Sequence, residues 1–262
     1  MNKSSAAEIV SEIRKLLLER AFSNACGSAA PGPFREREKL VDLFISKTIL
    51  FSNSSDGAVD RWIKERLCRA NLQSEIAPLN AIDQWQVDAA TGNIAHASGR
   101  FFSIIGLTVR HRTKQGELAW DQPVIDQPEY GILGILAKKF DGVLHFLLQA
   151  KEEPGNINSV QLSPTVQATY SNYTQTHGGK LPMYLEHFLD PPLEQILFAK
   201  LQSEDGGRFL YKSNRNMIVA VNGEMPPLQD GFIWLTLRQI SDLMSRDNVV
   251  NACTRSILSA VL

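Results

Sequence analysis

The strongest constraint on the fold is a pair of apolar runs on either side of Asp141-Gly142. The runs cover residues 132–140 and 143–150, and Asp-Gly is typical of the two-residue turns that join antiparallel strands. In the second run, side chains alternate between two faces, and one face becomes more polar toward Lys151. The pattern predicts a β-hairpin over residues 131–151 with one face in the core.

The residues before position 73 favour helices. Apolar residues recur at helical spacing from Ile9 to Leu17, over residues 34–51 and from Val59 to Leu67. Residues 26–33 are rich in glycine, proline and alanine and are expected to form a loop. We therefore divide the chain into an N-terminal helical segment, residues 1–72, and a second unit, residues 73–262.

The second unit is expected to contain strands and then helices. Strands are predicted at residues 94–96, 101–109, 208–211 and 217–221, with a short helix near 181–188. Thr236 and Gln239 have the spacing of a capping box, which predicts a helix through Met244. A last helix over about 249–262 is expected to expose apolar side chains.

Composition and charge exclude several kinds of partner. The 262 residues are 44% hydrophobic and 21% charged, with 27 basic and 28 acidic side chains. This balance gives no basic excess for nucleic acid or a membrane surface, and no apolar run approaches the roughly 20 residues of a membrane span. Three separated cysteines cannot build a disulfide framework, so a cytoplasmic protein without nucleic-acid or membrane partners is expected.

Signatures of cofactor and metal chemistry are missing from the sequence. There is no GxGxxG, GxxxxGK[ST], HExxH or GxSxG pattern. His96 and His111 lie close in sequence but lack further partners at metal-ligand spacing. The sequence therefore predicts no cofactor and no metal.

The densest polar segment covers residues 161–180 and contains His177 before two glycines. One interpretation is a polar edge strand followed by a turn, with an exposed histidine. The other is a wall of hydrogen-bond donors that faces a polyhydroxylated or phosphorylated ligand, because glycines let backbone amides approach closely. Composition favours the first interpretation, and both stay open at this stage.

Two further clusters have charged or amide side chains near apolar strands. Asn214-Arg215-Asn216 precedes one strand, with Arg208 upstream, and an arginine pairs bidentately with phosphate or carboxylate. Lys151 to Asn156 follow the hairpin and include two carboxylates. Each cluster also fits a solvated strand end, and Trp85 fits either a stacking platform or a core residue.

These blocks closely resemble the NDP-hexose 2,3-dehydratases, which act on dTDP-4-keto-6-deoxyglucose in deoxysugar biosynthesis. The matching residues are 98–103, 122–134, 145–156, 162–174, 202–209, 214–217 and 234–237. Known members have two copies of the unit, and this chain has one. The resemblance implies an α+β fold: a Nudix-like module with a mixed, mostly antiparallel sheet flanked by helices, and extra helices at both ends. No Nudix box is present, which argues against a metal-dependent pyrophosphohydrolase.

The resemblance implies a lyase whose C4 ketone acidifies the C3 proton, so that an enolate forms and expels the C2 hydroxyl. A base, an acid and donors for the enolate oxygen are needed. The catalytic candidates are His177 or Tyr173 as base and Lys151 or Glu152 as acid. The substrate-binding candidates are Trp85, Gln149, Asn156, Thr169, Tyr170, Ser171, Asn172, Arg208, Asn214, Arg215 and Asn216.

Two other functions remain open: a different lyase or isomerase on a related nucleotide sugar, and a non-catalytic nucleotide-sugar-binding subunit. The expected partner is a dTDP-sugar. Apolar residues at the end of the last helix, Ile257, Leu258, Val261 and Leu262, are expected to be exposed. Since large exposed apolar patches are rare on monomers, a homodimer is expected.

Overall fold

The structure is a computed structural model that describes residues 3–23, 31–50, 52–169, 181–225 and 227–262. Within these residues the fold is α+β, as expected. The helices are α1 (Lys3–Ser23), α2 (Pro31–Thr48), α3 (Asp56–Arg69), α4 (Glu186–Leu189), α5 (Leu237–Met244) and α6 (Ala252–Leu258). The strands are β1 (Trp85–Val87), β2 (Ile94–His96), β3 (Ser103–Thr113), β4 (Gly116–Asp126), β5 (Gly131–Phe140), β6 (Val143–Glu152), β7 (Val160–Pro164), β8 (Val166–Ala168), β9 (Ile196–Ser203), β10 (Ser213–Ala220) and β11 (Phe232–Thr236).

The strands of the described residues form two sheets. A four-stranded sheet has the order β1-β2-β3-β4, and the main sheet has the order β11-β6-β5-β10-β9, with β7 on β6 and β8 on β5. Strands β5 and β10 run parallel, and the other pairs are antiparallel. The prediction of mixed, mostly antiparallel pairing is confirmed, whereas the division into two sheets was not predicted.

The hairpin β5–β6 is confirmed and lies at the centre of the main sheet. Asp141 and Gly142 both have positive φ, 49° and 79°, as a type I′ turn requires. Phe140 pairs with Val143, and the ladder continues to Leu136 opposite Leu147.

Beyond Leu136 the two strands of the hairpin separate. The first half of β5, from Ile132 to Gly134, pairs with β8 instead, while β6 pairs with β7. The Thr165 hydroxyl lies at the junction, where it accepts from Leu136 N at 2.9 Å and donates to Leu147 O. This side chain satisfies backbone groups that the parting strands leave unpaired, and the separation opens space between β5 and the end of β6.

The main sheet has apolar side chains packed on both faces. On one face Phe146, Leu148 and Ile218 pack against the helices that include Val59 and Ile240. On the other, the buried cluster contains Leu147, Met217, Phe188 and Trp234.

The last helix corrects one expectation. Helix α6 ends at Leu258 rather than near the chain end, and Ile257 and Leu258 are fully buried in the main core. Val261 packs partly against the same cluster, and of the four residues predicted to be exposed Leu262 is exposed. The prediction that this helix exposes an apolar face is wrong, because its apolar side covers the sheet.

Other local predictions divide in the same way. The capping box of α5 is confirmed by both hydrogen bonds between Thr236 and Gln239. The strand predicted at 208–211 is wrong, since only an isolated bridge at Phe209 forms there. Strands β4 and β9 were not predicted. Helix α2 begins at Pro31, inside the stretch 26–33 that was expected to be a loop, and its prolines at 31 and 33 lie in the first turn, where proline is tolerated.

Within the described residues, no helix is long and apolar enough to cross a membrane.

Candidate active site

A cavity of about 210 Å³ lies where β5 and β10 begin and β8 ends. Leu133 and Phe209 supply apolar parts of its wall, and Cys253 of α6 lines it as well. The polar side chains that line the cavity are Gln127, Lys151, Gln167, Thr169, Glu204, Lys212 and Asn214. The cavity therefore joins residues from four strands and the loops between them.

The parallel pair β5–β10 builds one wall. Gly131 pairs with Asn214, and Gly131 N donates to Asn214 Oδ1 at 3.1 Å. A Cβ at Gly131 would lie 2.7 Å from that oxygen, which is closer than a real Cβ can come. Glycine is thus required at position 131 for the Asn214 amide to lie against the backbone.

A chain of polar contacts orients Lys151. Its ammonium lies 3.3 Å from Glu153 Oε1, and the same oxygen accepts from Gln167 Nε2 at 2.9 Å. Gln167 Oε1 accepts from Asn251 Nδ2 at 3.3 Å, and Asn251 also caps α6 by accepting from Thr254 N. The position of Lys151 is therefore tied to β8 and to the start of α6.

A second group surrounds Asn214. Its Nδ2 donates to Glu204, while Lys212, two residues earlier, donates to the backbone oxygen of Glu129. Lys212 is only 6% exposed. The cavity thus contains a buried ammonium group and a carboxylate as well as the Lys151–Glu153 pair.

Burial shifts two titrations at the cavity. Desolvation lowers the pKa of Lys212, against the opposing effect of Glu129 and Glu204. Burial raises the pKa of the Cys253 thiol to about 11, so this thiol is protonated at neutral pH and is a poor nucleophile.

Asn216 follows Asn214 on the same face of β10. Its Nδ2 donates to Gln202 and to Ser256 Oγ, the latter at 3.0 Å. Asn216 is 1% exposed, and among the described residues its Oδ1 has no hydrogen-bond partner. The side chain links β10 to β9 and α6.

The structure brings some of the predicted site residues together and separates others. Lys151, Thr169 and Asn214 line the cavity, and Asn216 is not among its lining residues. Arg215 lies on the face of β10 opposite to Asn214 and Asn216, because successive side chains of a strand alternate. It shares that face with Met217, which packs in the second core cluster. The three residues 214–216 therefore do not form one cluster.

Three further candidates are not among the residues that line the cavity. Trp85 packs against Phe102 in the smaller sheet, with ring centroids 5.0 Å apart. Arg208 is exposed in a turn, where its backbone oxygen accepts from Ile125 N. Gln149 Nε2 donates to Pro164 O across β6 and β7.

Two more candidates hold backbone segments. Glu152 Oε2 accepts from the backbone N–H groups of Asn71 and Leu72, at 3.0 and 2.6 Å. Asn156 Nδ2 donates to the backbone oxygens of Lys151 and Ser159. Tyr170, Ser171, Asn172, Tyr173 and His177 lie outside the described residues, and they follow Thr169 directly in the sequence.

Sequence reasoning missed Lys212 and Glu204. Glu204 lies within a block that carries the family resemblance, and Lys212 shares the parity of Asn214 and Asn216. Strand alternation alone would have placed these three on one face. In the described part of the chain, no group of three or more histidine, cysteine or carboxylate side chains could hold a metal ion.

Comparison with known proteins identifies relatives of the chain. A protein from Amycolatopsis orientalis named dTDP-4-dehydro-6-deoxy-alpha-D-glucopyranose 2,3-dehydratase is 52% identical over 207 residues, which are 78% of this chain and 44% of the relative. Proteins of the same name from Saccharopolyspora spinosa and Streptomyces violaceoruber are 49% and 46% identical, each over 76% of this chain.

The chain spans less than half the length of each of these relatives, 41–45%. Such a share is expected for one copy of a duplicated unit. The model of the NDP-hexose 2,3-dehydratase family matches residues 56–261. That range includes α3, the main sheet and every residue that lines the cavity. This chain therefore belongs to the NDP-hexose 2,3-dehydratase family.

Proposed function

We propose that this chain is a hydro-lyase that removes water across C2–C3 of dTDP-4-keto-6-deoxyglucose, giving a 3,4-diketo-2,6-dideoxy sugar for deoxysugar biosynthesis. The observation that supports this function is the similarity to the three 2,3-dehydratases, at 46–52% identity. The family match includes all the cavity residues, so the proposed chemistry has a defined place in the fold.

The proposed reaction begins at the proton on C3. The C4 ketone acidifies it, and its removal by a base leaves an enolate whose negative charge lies on the C4 oxygen. The enolate expels the C2 hydroxyl, which takes a proton and leaves as water. The resulting enol tautomerises to the 3,4-diketone, so the chemistry needs an acid, a base and hydrogen-bond donors, and no external oxidant.

Lys151 fits the role of the acid better than its neighbour Glu152. Lys151 lines the cavity and has Glu153 at 3.3 Å, whereas the Glu152 carboxylate already accepts two backbone N–H groups. For the base we retain His177 or Tyr173. Thr169 leads into the segment that contains them, and with Tyr170, Ser171 and Asn172 it is proposed to bind sugar hydroxyls.

The diphosphate is proposed to lie near Asn214 and Asn216. Asn214 lines the cavity, and Asn216 is the next residue on the same face of β10. Arg208 and Arg215 stay predictions as diphosphate ligands, and since they lie apart they must be tested one at a time. Trp85 likewise stays a prediction for stacking on the thymine base.

Mass spectrometry of the sugar nucleotide tests the proposed function. The purified chain is incubated with dTDP-4-keto-6-deoxyglucose, and loss of one water is the expected result. Calorimetry in excess chelator measures binding in parallel and is expected to show it. Binding without water loss would favour a nucleotide-sugar-binding subunit, and a rearranged product of unchanged mass would favour an isomerase.

We also propose that the main sheet and its helices form a Nudix-like module. The mixed five-strand order β11-β6-β5-β10-β9 and the apolar packing on both faces support this fold. An experimental structure of the chain, superposed on a solved Nudix protein, is expected to align this strand order. A different order of the equivalent strands would contradict the assignment.

Finally, we propose that two copies of the chain pair through β3 and β4, here called the ribbon. Residues opposite each other in an antiparallel pair share a face, so Val109 with Trp120 and His111 with Leu118 form one side. Trp120 and Leu118 are 45% and 61% exposed. Strand β2 pairs with β3 at Ser103 and Ile104, and from Ile105 to Thr113 the described ladder of β3 is with β4. Because a two-stranded stretch is marginally stable alone, covering this side by a second copy would stabilise it.

A further inference from the structure

Lys212 is a buried cation that the assigned roles do not use. Its side chain lines the same cavity as Lys151 and Asn214, yet the residue is only 6% exposed. A buried ammonium group is costly unless its charge has partners. The chain keeps lysine at a position where an apolar side chain would fill the space without that cost.

The partners of Lys212 hold it in place and leave it able to bind a ligand. Its ammonium donates to the backbone oxygen of Glu129, and an ammonium group carries three donors. Glu204, which accepts from Asn214 Nδ2, adds a carboxylate nearby. The group is therefore positioned before a substrate arrives, which is the arrangement that stabilises a developing charge most effectively.

The two lysines of the cavity differ in a way that suits two different steps. Lys151 is more exposed, with 30% of its side chain accessible, and its ammonium lies 3.3 Å from Glu153 Oε1. Because solvent reaches this side chain, Lys151 can regain a proton from water after it has given one away. Lys212 lies deeper and contacts a neutral carbonyl oxygen. A positive charge acts more strongly on an oxyanion where water is largely excluded.

We propose that Lys212 is a catalytic residue whose ammonium group binds the C4 oxygen of the sugar and stabilises the enolate formed there. This inference rests on the proposed 2,3-dehydratase function. In the step it serves, a base takes the C3 proton and the C3–H electron pair forms the C3–C4 double bond. The carbonyl electron pair moves to O4, where Lys212 holds the negative charge without transferring its own proton. The enolate then collapses, the C2–O bond breaks, and the hydroxyl leaves as water with a proton from Lys151.

The test separates enolate formation from loss of water. In Lys151→Met the enolate forms but water leaves slowly, so substrate recovered from D₂O is expected to contain deuterium at C3. In Lys151→Met/Lys212→Met this exchange is expected to fall by about 10²- to 10³-fold. In Lys212→Met alone, the rate of water release is expected to fall by a similar factor. The affinity for the dTDP-sugar is expected to change by less than about tenfold.

Outcomes for Lys212 and for the proposed function are distinguishable. If the wild-type chain releases no water from the dTDP-sugar, the 2,3-dehydratase function falls and this inference falls with it. If the wild-type chain releases water but the double variant exchanges deuterium as fast as Lys151→Met, only the role of Lys212 is overturned. If Lys212 has only a structural role, its replacement changes stability or substrate binding and leaves deuterium exchange at C3 unchanged.

Lys212→Arg keeps the charge and provides a test even where the methionine variant fails to fold. The titratable groups around Lys212 are Glu129 and Glu204, and Lys151 and Cys253 line the same cavity, with Glu153 beside Lys151. If a charged Lys212 is required, the wild-type rate falls at alkaline pH as this group loses its proton. Arginine stays protonated, so Lys212→Arg is expected to remain active and to keep its rate to higher pH than the wild type, where the need for a protonated Lys151 still sets a limit. An unchanged alkaline fall in rate in Lys212→Arg would overturn the proposal.

Discussion

At the scale of single residues, His145 shows how the core fixes one protonation state. The ring is 1% exposed. Its Nδ1 lies 2.9 Å from Val143 O, which can only accept, and its Nε2 lies 3.0 Å from Asn53 N, which can only donate. Nδ1 therefore carries the proton, and Nε2 is the acceptor that holds the segment between α2 and α3.

Burial lowers the pKa of His145 below its ordinary value of 6.5, with smaller opposing effects from the hydrogen bond to Val143 O and from Asp141. The unfolded chain then binds a proton more readily than the folded chain, so stability rises with pH in this range. We expect the free energy of unfolding to fall as pH drops below about 6.5, measured by urea denaturation between pH 7.5 and 5.

The variant that tests this effect is His145→Leu, compared with the wild type. His145→Leu leaves Asn53 N unpaired and is expected to lose about 1–3 kcal/mol at pH 7.5, but to lose less on acidification than the wild type. Equal pH slopes in the two proteins would refute the account of His145.

Residue spacing predicts part of the site. Strand alternation along β10 places Asn214 and Asn216 on one face and Arg215 on the other, and Lys212, which immediately precedes β10, shares the spacing of the first two. The position of Glu204 beside Asn214 was not available from the sequence, because it depends on pairing between β9 and β10. Lys151 reaches the same cavity only because β6 separates from β5.

At the scale of elements, Gly134 marks the contact between β5 and α4. A Cβ on Gly134 would lie 2.4 Å from Cε1 of Phe188, and Phe188 is fully buried. Since overpacking a core typically costs about 1–3 kcal/mol, Gly134→Ala is expected to lower the free energy of unfolding by that amount. Urea denaturation measures it.

Gly106→Ala is the matched control, because a Cβ at Gly106 meets nothing within 4 Å. It is expected to change stability by less than about 0.5 kcal/mol. Phe188→Leu should make room for the added methyl, so the double variant Gly134→Ala/Phe188→Leu is expected to be more stable than the sum of the single changes. Strict additivity would mean that the two residues do not collide.

Elements set by local signals are predicted well, and those set by distant contacts are not. The Asp141-Gly142 turn and the Thr236–Gln239 capping box depend on neighbouring residues, and both are confirmed. Strand β9 exists because β10 pairs with it, and α6 is covered by the sheet it packs on. The boundary placed at residue 72 stays a prediction; the family match begins earlier, at residue 56, where α3 begins.

At the scale of the whole molecule, we predict a homodimer that pairs through the ribbon. Sedimentation at micromolar concentration is expected to show a species of about twice 29.2 kDa. Trp120→Glu places a charge on the apolar side of the ribbon and is expected to give monomers, because burying an unpaired charge is unfavourable. Ala119→Glu, on the opposite side, is expected to remain dimeric. A wild-type chain that sediments as a single 29.2 kDa species would refute the pairing.

The central claim is that the chain removes water from the dTDP-sugar within the cavity between β5, β8 and β10. The most direct measurement is the rate of water loss from dTDP-4-keto-6-deoxyglucose, followed by mass spectrometry, for Lys151→Met and Lys64→Met. Lys64 is exposed on α3, away from the cavity, so Lys64→Met is expected to match the wild type. Lys151→Met is expected to be slower by about 10²-fold or more, and turnover by Lys151→Met at the wild-type rate would contradict the account.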